Sequence, residues 1–316
     1  MTARPLITLL IPVYNESPNI GPLEQALQPV MAQLAHRFEF EILVTDNHSE
    51  DDTFALLQQW SAREPRLRVL RFSRNFGFQR SILTGYLNAQ GAAAIQLDCD
   101  LQDPPSLIVA FIAAWQAGNK VVYGVRRGRK EGFAITLLRK VFYRLINALS
   151  ETPLPLDAGD FRLVDRVVIE ELRKVEDFHP YLRGSIALMG FDQLGIAYDR
   201  AERVHGESKF NMASLVRLAI DGILNHSTVP LRVATYTGLG VSMLTFGGLC
   251  AYAIARLLFG QTWPAGFATL TVLILLSLSL NALFLGIIGE YLGRIYQQVK
   301  KRPIAIVEKR LPAQDR

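Results

Sequence analysis

Near its C-terminus the chain has two stretches without a single charge, residues 233–255 and 257–289, and Glu290 is the first charge after the second. A helix rises about 1.5 Å per residue, so each stretch reaches across the roughly 30 Å of hydrocarbon in a bilayer. A soluble helix of that length normally shows a polar face, and neither stretch has one. Two membrane-crossing helices are therefore expected, at about 233–258 and 267–289. The segment GQTWPAG between them, with Trp263, Pro264 and Gly266, suits an interfacial turn and makes the pair a hairpin. Arg232 precedes the first span, Arg294, Lys300, Lys301 and Arg302 follow the second, and the turn is uncharged. The positive-inside rule then places both chain ends in the cytoplasm, as in a multi-pass protein of the inner (cytoplasmic) membrane. Residues 1–12 hold only a brief apolar run and no cleavage-site pattern, so no signal peptide is expected.

The composition shifts near residue 230 and divides the 316 residues into a body (1–230), the hairpin (231–293) and a basic tail (294–316). The net charge of +5 suits an anionic leaflet or a phosphorylated substrate. No nucleic-acid-binding motif appears, and the basic residues gather near the membrane segments, so nucleic acid is not an expected partner. Cys99 lies in the body and Cys250 in a span, which argues against a disulfide and excludes a thiolate metal site. The oligomeric state stays open, a homo-oligomer included.

Within the body, strand-like and helix-like segments alternate, which predicts an α/β fold with a mostly parallel sheet covered by helices. Strands are expected at 6–13, 41–45, 67–72, 92–97 and 120–125, and helices at 20–34, 54–60, 79–89 and 106–117. The first four strands end in polar clusters, and in open α/β sheets ligands bind outside the carboxyl ends of the strands. Residues 132–149 interleave Arg139, Lys140 and Arg144 with apolar side chains, making a basic amphipathic helix, and 212–224 is similar but less basic. Such helices lie on a membrane surface or pack on the domain's own sheet; a nearby hairpin favours the membrane for at least one.

The strongest local signal is QLDCDLQD at 96–103, at the end of an apolar strand. On an extended chain Asp98, Asp100 and Gln102 share one side, and two carboxylates on one side suit a hard divalent cation that also takes phosphate oxygens. The clusters PVYNE at 12–16 and DNHSED at 46–51 read either as Asx-capped turns or as acceptors for the base and ribose of a nucleotide. Neither a G-x-G-x-x-G after the first strand nor a G-x-x-x-x-G-K-[ST] occurs, which argues against dinucleotide oxidoreductases and P-loop NTPases.

Together PVYNE, DNHSED, LDCDLQDPP at 97–105, DAGDFR at 157–162 and RVHGESKF at 203–210 resemble family 2 glycosyltransferases of the GT-A (Rossmann-like) fold. The hairpin, ending in GEYLGRIYQQVKKRP at 289–303, is similar to that of polyisoprenyl-phosphate glycosyltransferases, the group of bactoprenol glucosyltransferases and dolichol-phosphate mannose synthases. The resemblance implies a nucleotide pocket of Pro12, Tyr14, Glu16 and Asp46, joined by Asp98. It implies a divalent metal, Mg²⁺ or Mn²⁺, on Asp98, Asp100 and Gln102. Asp157 or Asp160 is then the catalytic or acceptor-orienting acid, supported by Arg162, and Arg200, Arg203 and Lys209 bind phosphate. Arg126, Arg127, Arg129 and Lys130 form a basic loop that clamps a lipid phosphate or touches anionic lipid. Asn47 departs from the second acid of many relatives, and His48 reads as a solvated turn residue.

The implied activity is inverting transfer of a sugar from a nucleotide-sugar donor to a polyprenyl-phosphate acceptor in the lipid bilayer. Glucose from UDP-glucose is the first choice, with GDP-mannose and UDP-aminoarabinose as alternatives. A processive polysaccharide synthase normally has more spans and a Q-x-x-R-W motif, which this chain lacks. An inactive membrane scaffold is disfavoured by the intact acids.

Overall fold

The computed structural model describes residues 4–127, 158–175, 177, 180–199, 229–259 and 266–312. The expected alternation is present: β1 (Leu6–Val13), α1 (Ser17–Leu34), β2 (Glu39–Asp46), α2 (Thr53–Arg63), β3 (Leu67–Phe72), α3 (Phe78–Asn88), β4 (Ala93–Gln96), α4 (Leu107–Gln116) and β5 (Val121–Arg126). After these come β6 (Ala158–Asp165), α5 (Arg166–Lys174), α6 (Leu182–Leu188), β7 (Gln193–Tyr198), the long helices α7 (Val229–Phe259) and α8 (Phe267–Val299), and β8 (Val307–Leu311).

The strands form one sheet in the order β7-β5-β6-β4-β1-β2-β3-β8. Strands β4, β1, β2 and β3 are parallel to one another and β7 is parallel to β5, whereas β6 runs antiparallel between β4 and β5. Strand β1 is apolar except for Thr8, whose buried hydroxyl donates to Glu41 (2.6 Å), because it is covered on both faces. Leu9 and Ile11 face one cluster with Leu23, Leu27, Trp60 and Phe111, supplied by α1, α2 and α4. Leu10 faces the other, with Ile82, Tyr86 and Ile169 from α3 and α5. Gly91 lies where a Cβ would come within 2.7–2.8 Å of the backbone of Leu6, Thr8 and Ala93, so only glycine fits beside β1.

Three strands escape a reading by apolar pattern. In β6, Gly159, Asp160, Arg162 and Asp165 interrupt the run, although the strand is central. β7 lies at one edge of the sheet and β8 at the other, and edge strands tolerate exposed polar residues. β8 lies within the segment expected as a basic tail, 294–316. The chain returns from α8 and pairs antiparallel with β3, Leu311 opposite Val69 and Arg310 opposite Leu70.

Helices α7 and α8 expose apolar side chains such as Leu239, Leu244, Leu257, Leu273, Leu278 and Leu285. They approach each other where Gly238 faces Phe284. Among the described residues, Leu276–Val299 is long and apolar enough to cross a membrane by length and composition. The turn at 260–265 and the amphipathic segments 132–149 and 212–224 lie outside the described residues.

Candidate active site

The loops after β1 and β2 are tied to each other. The Asn15 N–H donates to Ser49 Oγ (3.0 Å), and the Glu50 N–H donates to Asn15 Oδ1 (2.8 Å). The Glu16 N–H donates to Thr53 Oγ1 (2.9 Å) and the Ser17 N–H to Asp51 Oδ2 (3.1 Å). Neither Glu16 nor Asp52 makes a side-chain cap bond, while Asp51 Oδ1 accepts the N–H of Thr53 at the start of α2 (3.0 Å), so an Asx bond stands beside the bonds across the loops. Burial pushes the Asp51 carboxyl up, but hydrogen bonds from Thr53 and Ser17 outweigh it and hold the group below its usual range.

Pro12 is buried in β1 beside Thr45, and Tyr14 is exposed in the loop that follows. Asp46 ends β2 with no exposed surface; its Oδ1 accepts the Ser49 N–H (2.9 Å), and Arg71 Nη1 stands 3.4 Å from Oδ2. Asn47 faces the loop before α3, where its Oδ1 accepts the Phe76 N–H (2.8 Å) and its Nδ2 donates to Asn75 Oδ1 (2.9 Å). Its amide therefore works as a latch. His48 is a partly buried turn residue, with Nδ1 2.9 Å from the Phe72 carbonyl oxygen and 3.8 Å from the Glu308 carboxylate of β8.

At the next strand end the expected extended geometry is absent. β4 stops at Gln96, and the chain turns through Cys99, Asp100 and Leu101, whose φ is +55°. Strand alternation therefore does not set Asp98, Asp100 and Gln102 on one side; in the turn Asp100 Oδ1 accepts the Gln102 backbone N–H (3.2 Å). The buried Gln96 donates from Nε2 to Asp98 Oδ1 (3.0 Å). Burial, and then the charges of Asp160, Asp103 and Asp100, push the Asp98 carboxyl up to about 7, with Arg126 opposing. The crowded carboxylates fit a divalent cation. Among the described residues no three acidic, His or Cys side chains converge as a complete ligand set. Mg²⁺ commonly takes one or two carboxylates and completes its shell with phosphate and water.

The antiparallel β6 carries Asp160 to this point. Gln96 pairs with Arg162 in register, so the start of β6 runs past the end of β4. Arg183 Nε on α6 lies 3.5 Å from Asp160 Oδ1. Arg162 is buried and donates to the Gly159 carbonyl (2.9 Å); burial lowers its pKa, with Asp160 and Tyr86 acting against that. Arg126 ends β5, where its Nε donates to the Tyr198 hydroxyl (3.3 Å) and its Nη2 lies 3.4 Å from Asp103 Oδ2. Burial works to lower the Arg126 pKa, but Asp103 and Tyr198 outweigh it and raise it.

The described structure thus gathers Asp98, Asp100, Asp103, Asp160 and Arg126. Asp157, Arg129, Lys130, Arg200, Arg203 and Lys209 lie outside the described residues. Four participants carried no assigned role in the sequence: Gln96, Asp103, Arg183 and Tyr198. Gln96 and Asp103 flank the Asp98–Asp100 pair and were detectable by that position. Tyr198 meets Asp103 across 95 residues, which no local signal reports.

Residues 8–173 match the model of Glycosyl transferase family 2. The chain belongs to this family, its sheet is that of the GT-A fold, and it is a glycosyltransferase. It is 39% identical to YkcC, an uncharacterized glycosyltransferase of Bacillus subtilis, over 96% of this chain and 93% of that one. It is 36% identical to the SfII prophage-derived bactoprenol glucosyl transferase of Shigella flexneri, over 96% of this chain and 97% of that one. Among solved structures, mannosyl-3-phosphoglycerate synthase from Rubrobacter xylanophilus superposes with a TM-score of 0.50 at 16% identity, over 74% of this chain and 75% of that one, a likeness of fold.

Proposed function

We propose that the protein transfers glucose from UDP-glucose to a polyprenyl phosphate such as undecaprenyl phosphate, with inversion, at the cytoplasmic leaflet. The observation that carries this reading is the 36% identity to a bactoprenol glucosyl transferase over nearly the full length of both chains. The acid-rich crevice and the apolar C-terminal helices support it. In this reading residues 1–230 with β8 form the catalytic domain. Helices α7 and α8 are a membrane hairpin with both chain ends cytoplasmic.

The nucleotide lies at the ends of β1, β2 and β4, against Pro12, Tyr14, Glu16, Asp46 and Asp98. Asp98, Asp100 and Gln102 would hold Mg²⁺ or Mn²⁺, which when bound supplies positive charge to the departing diphosphate. An oxygen of the acceptor phosphate attacks the anomeric carbon as the bond from that carbon to the diphosphate oxygen breaks, and the nucleoside diphosphate leaves with the bonding pair. The acceptor is already an anion near neutral pH, so alignment and charge balance matter more than proton removal. Asp160 and Asp157 orient the acceptor and the sugar. Arg126, Arg200, Arg203 and Lys209 hold phosphate oxygens.

The test is transfer of label by the full chain in vesicles from UDP-glucose, GDP-mannose and UDP-aminoarabinose into extractable lipid. Acid-labile glucosyl lipid formed from UDP-glucose is the expected product. Preference for another donor overturns the sugar assignment; polymer in place of lipid-linked monosaccharide, or no transfer from any donor, overturns the activity.

A further inference from the structure

Arg126, Asp103 and Tyr198 come from three separate places, the end of β5, the loop after β4 and the end of β7, and meet in a nearly closed cluster. Asp103 is 1% exposed and Tyr198 5%. The phenol has two partners: its O–H donates to Asp103 Oδ1, and its oxygen accepts the Arg126 Nε–H (3.3 Å). Asp103 Oδ2 lies 3.4 Å from Arg126 Nη2. A phenol whose proton is committed to a carboxylate presents its lone pairs to other donors, so Asp103 sets the direction from which Tyr198 accepts.

The ring itself is fixed. Phe161 packs edge-on against it with centroids 6.2 Å apart, and a Cβ on Gly124 would fall 2.6 Å from a ring carbon. The Arg127 N–H also donates to the Tyr198 carbonyl (2.7 Å), which ties the two strand ends together. Burial, and then Asp103, push the phenol up to about 12, so it stays a proton donor at working pH. Arginine carries five N–H groups, and these contacts leave others for a planar, bidentate grip on an oxyanion.

We infer that Tyr198 and Asp103 are positioning residues that hold the Arg126 guanidinium for a phosphate oxygen of the substrates, an inference that rests on the phosphate role proposed for Arg126. That oxygen belongs to the donor diphosphate or to the acceptor monophosphate. A core staple with no link to catalysis would use the same contacts, so the decisive measurement is a coupling.

The full chain is assayed in vesicles with undecaprenyl phosphate and whichever of the three nucleotide sugars turns over fastest, as Tyr198→Phe, Arg126→Ala and the double variant. Tyr198→Phe is expected to lower kcat/KM about tenfold, and less than about twofold when Arg126 is already alanine. A rise confined to the KM for lipid assigns the phosphate to the acceptor, and a rise confined to the KM for nucleotide sugar assigns it to the donor. Equal losses in both backgrounds overturn the positioning role while leaving the phosphate role of Arg126 standing. Full activity in Arg126→Ala overturns both. If Tyr198→Phe strands the buried Asp103 charge and fails to fold, the Asp103→Asn/Tyr198→Phe pair removes that charge and is read by the same criteria.

Discussion

On the β1–β2–β3 side of the sheet, the loops at the strand ends are joined by bonds in which Asn15, Ser49, Thr53, Asn47 and Asn75 satisfy backbone groups. On the β4–β6–β5 side, the strand ends bring Asp98, Asp100, Asp103 and Asp160 against Arg126 and Arg183. The first region pairs its loop backbone groups with side chains inside the protein, and leaves the buried Asp46 Oδ2 without a hydrogen bond, 3.4 Å from Arg71. The second concentrates negative charge that burial makes costly, and its composition makes sense only with something positive or a substrate in place. In the proposed function the cross-bonded half holds the nucleotide and the acid-rich half holds the metal and the reacting groups, two halves of one sheet.

The sharpest way to break this division is to remove a carboxylate from the charged half. Asp100→Ala is expected to lower glycosyl transfer by about 100-fold or more while leaving the circular dichroism spectrum unchanged. Full turnover by the variant, or by the wild-type chain in excess chelator, would remove the metal role from Asp100.

Replacing residues 231–299 with a long flexible linker, while keeping β8, leaves every strand of the sheet in place. Nucleotide-sugar binding is expected to persist, and transfer to long-chain polyprenyl phosphate in vesicles to fall about tenfold or more, because the effective concentration at the acceptor is lost. A short soluble prenyl phosphate should be less affected. Unchanged transfer to the long-chain lipid would refute the anchoring role of α7 and α8. Truncation after Pro230 is a poorer test, since it also strips β8 from the edge of β3.

The charged half should also reveal itself by pH. Asp98 has a folded-state pKa of about 7 against an ordinary 3.8, so the folded state holds its proton more tightly than the unfolded state does. Its contribution to stability therefore falls as pH rises from about 4 to about 7, and levels off above that. Thermal unfolding without divalent cations is expected to show this slope, with Asp98→Asn removing it and Mn²⁺ reducing it. A slope that persists in Asp98→Asn would move the titration to another group. At the opposite ends of β1 and β4, where Gly91 lies beside Leu6 and Ala93, the expected effect is on stability alone. Gly91→Ala forces a methyl against three backbone atoms and should cost about 1–3 kcal/mol in chemical denaturation. An altered turnover by the folded fraction would show that packing at the start of β1 reaches the site at its far end.

The parallel part of the fold was legible because β1 to β5 are apolar runs spaced by amphipathic helices, and the strand at 67–72 matches its expected limits. β6 was not, because Asp160 and Arg162 occupy positions where a central strand usually carries apolar side chains. Their burial is tolerated through Gly159, Arg183 and Tyr86, partners visible only in three dimensions. The Asp98–Asp100 motif was found for a geometric reason that the turn at Leu101 replaces. Asn47 was recognised as a departure from an acid, but only its bonds to Asn75 and Phe76 show what it does.

What the sequence determined by itself is what local chemistry dictates: uncharged stretches that suit lipid, apolar periods that alternate strand with helix, and acids at a strand end. What the tertiary structure decided is which distant groups share one low-dielectric space. Asp98 acquires its raised pKa from burial and then from Asp160 and Asp103, Arg126 its orientation from Tyr198, and β3 its outer neighbour from a strand beyond the last helix. Desolvation and Coulomb interaction act through space over a few ångströms, whatever the separation along the chain.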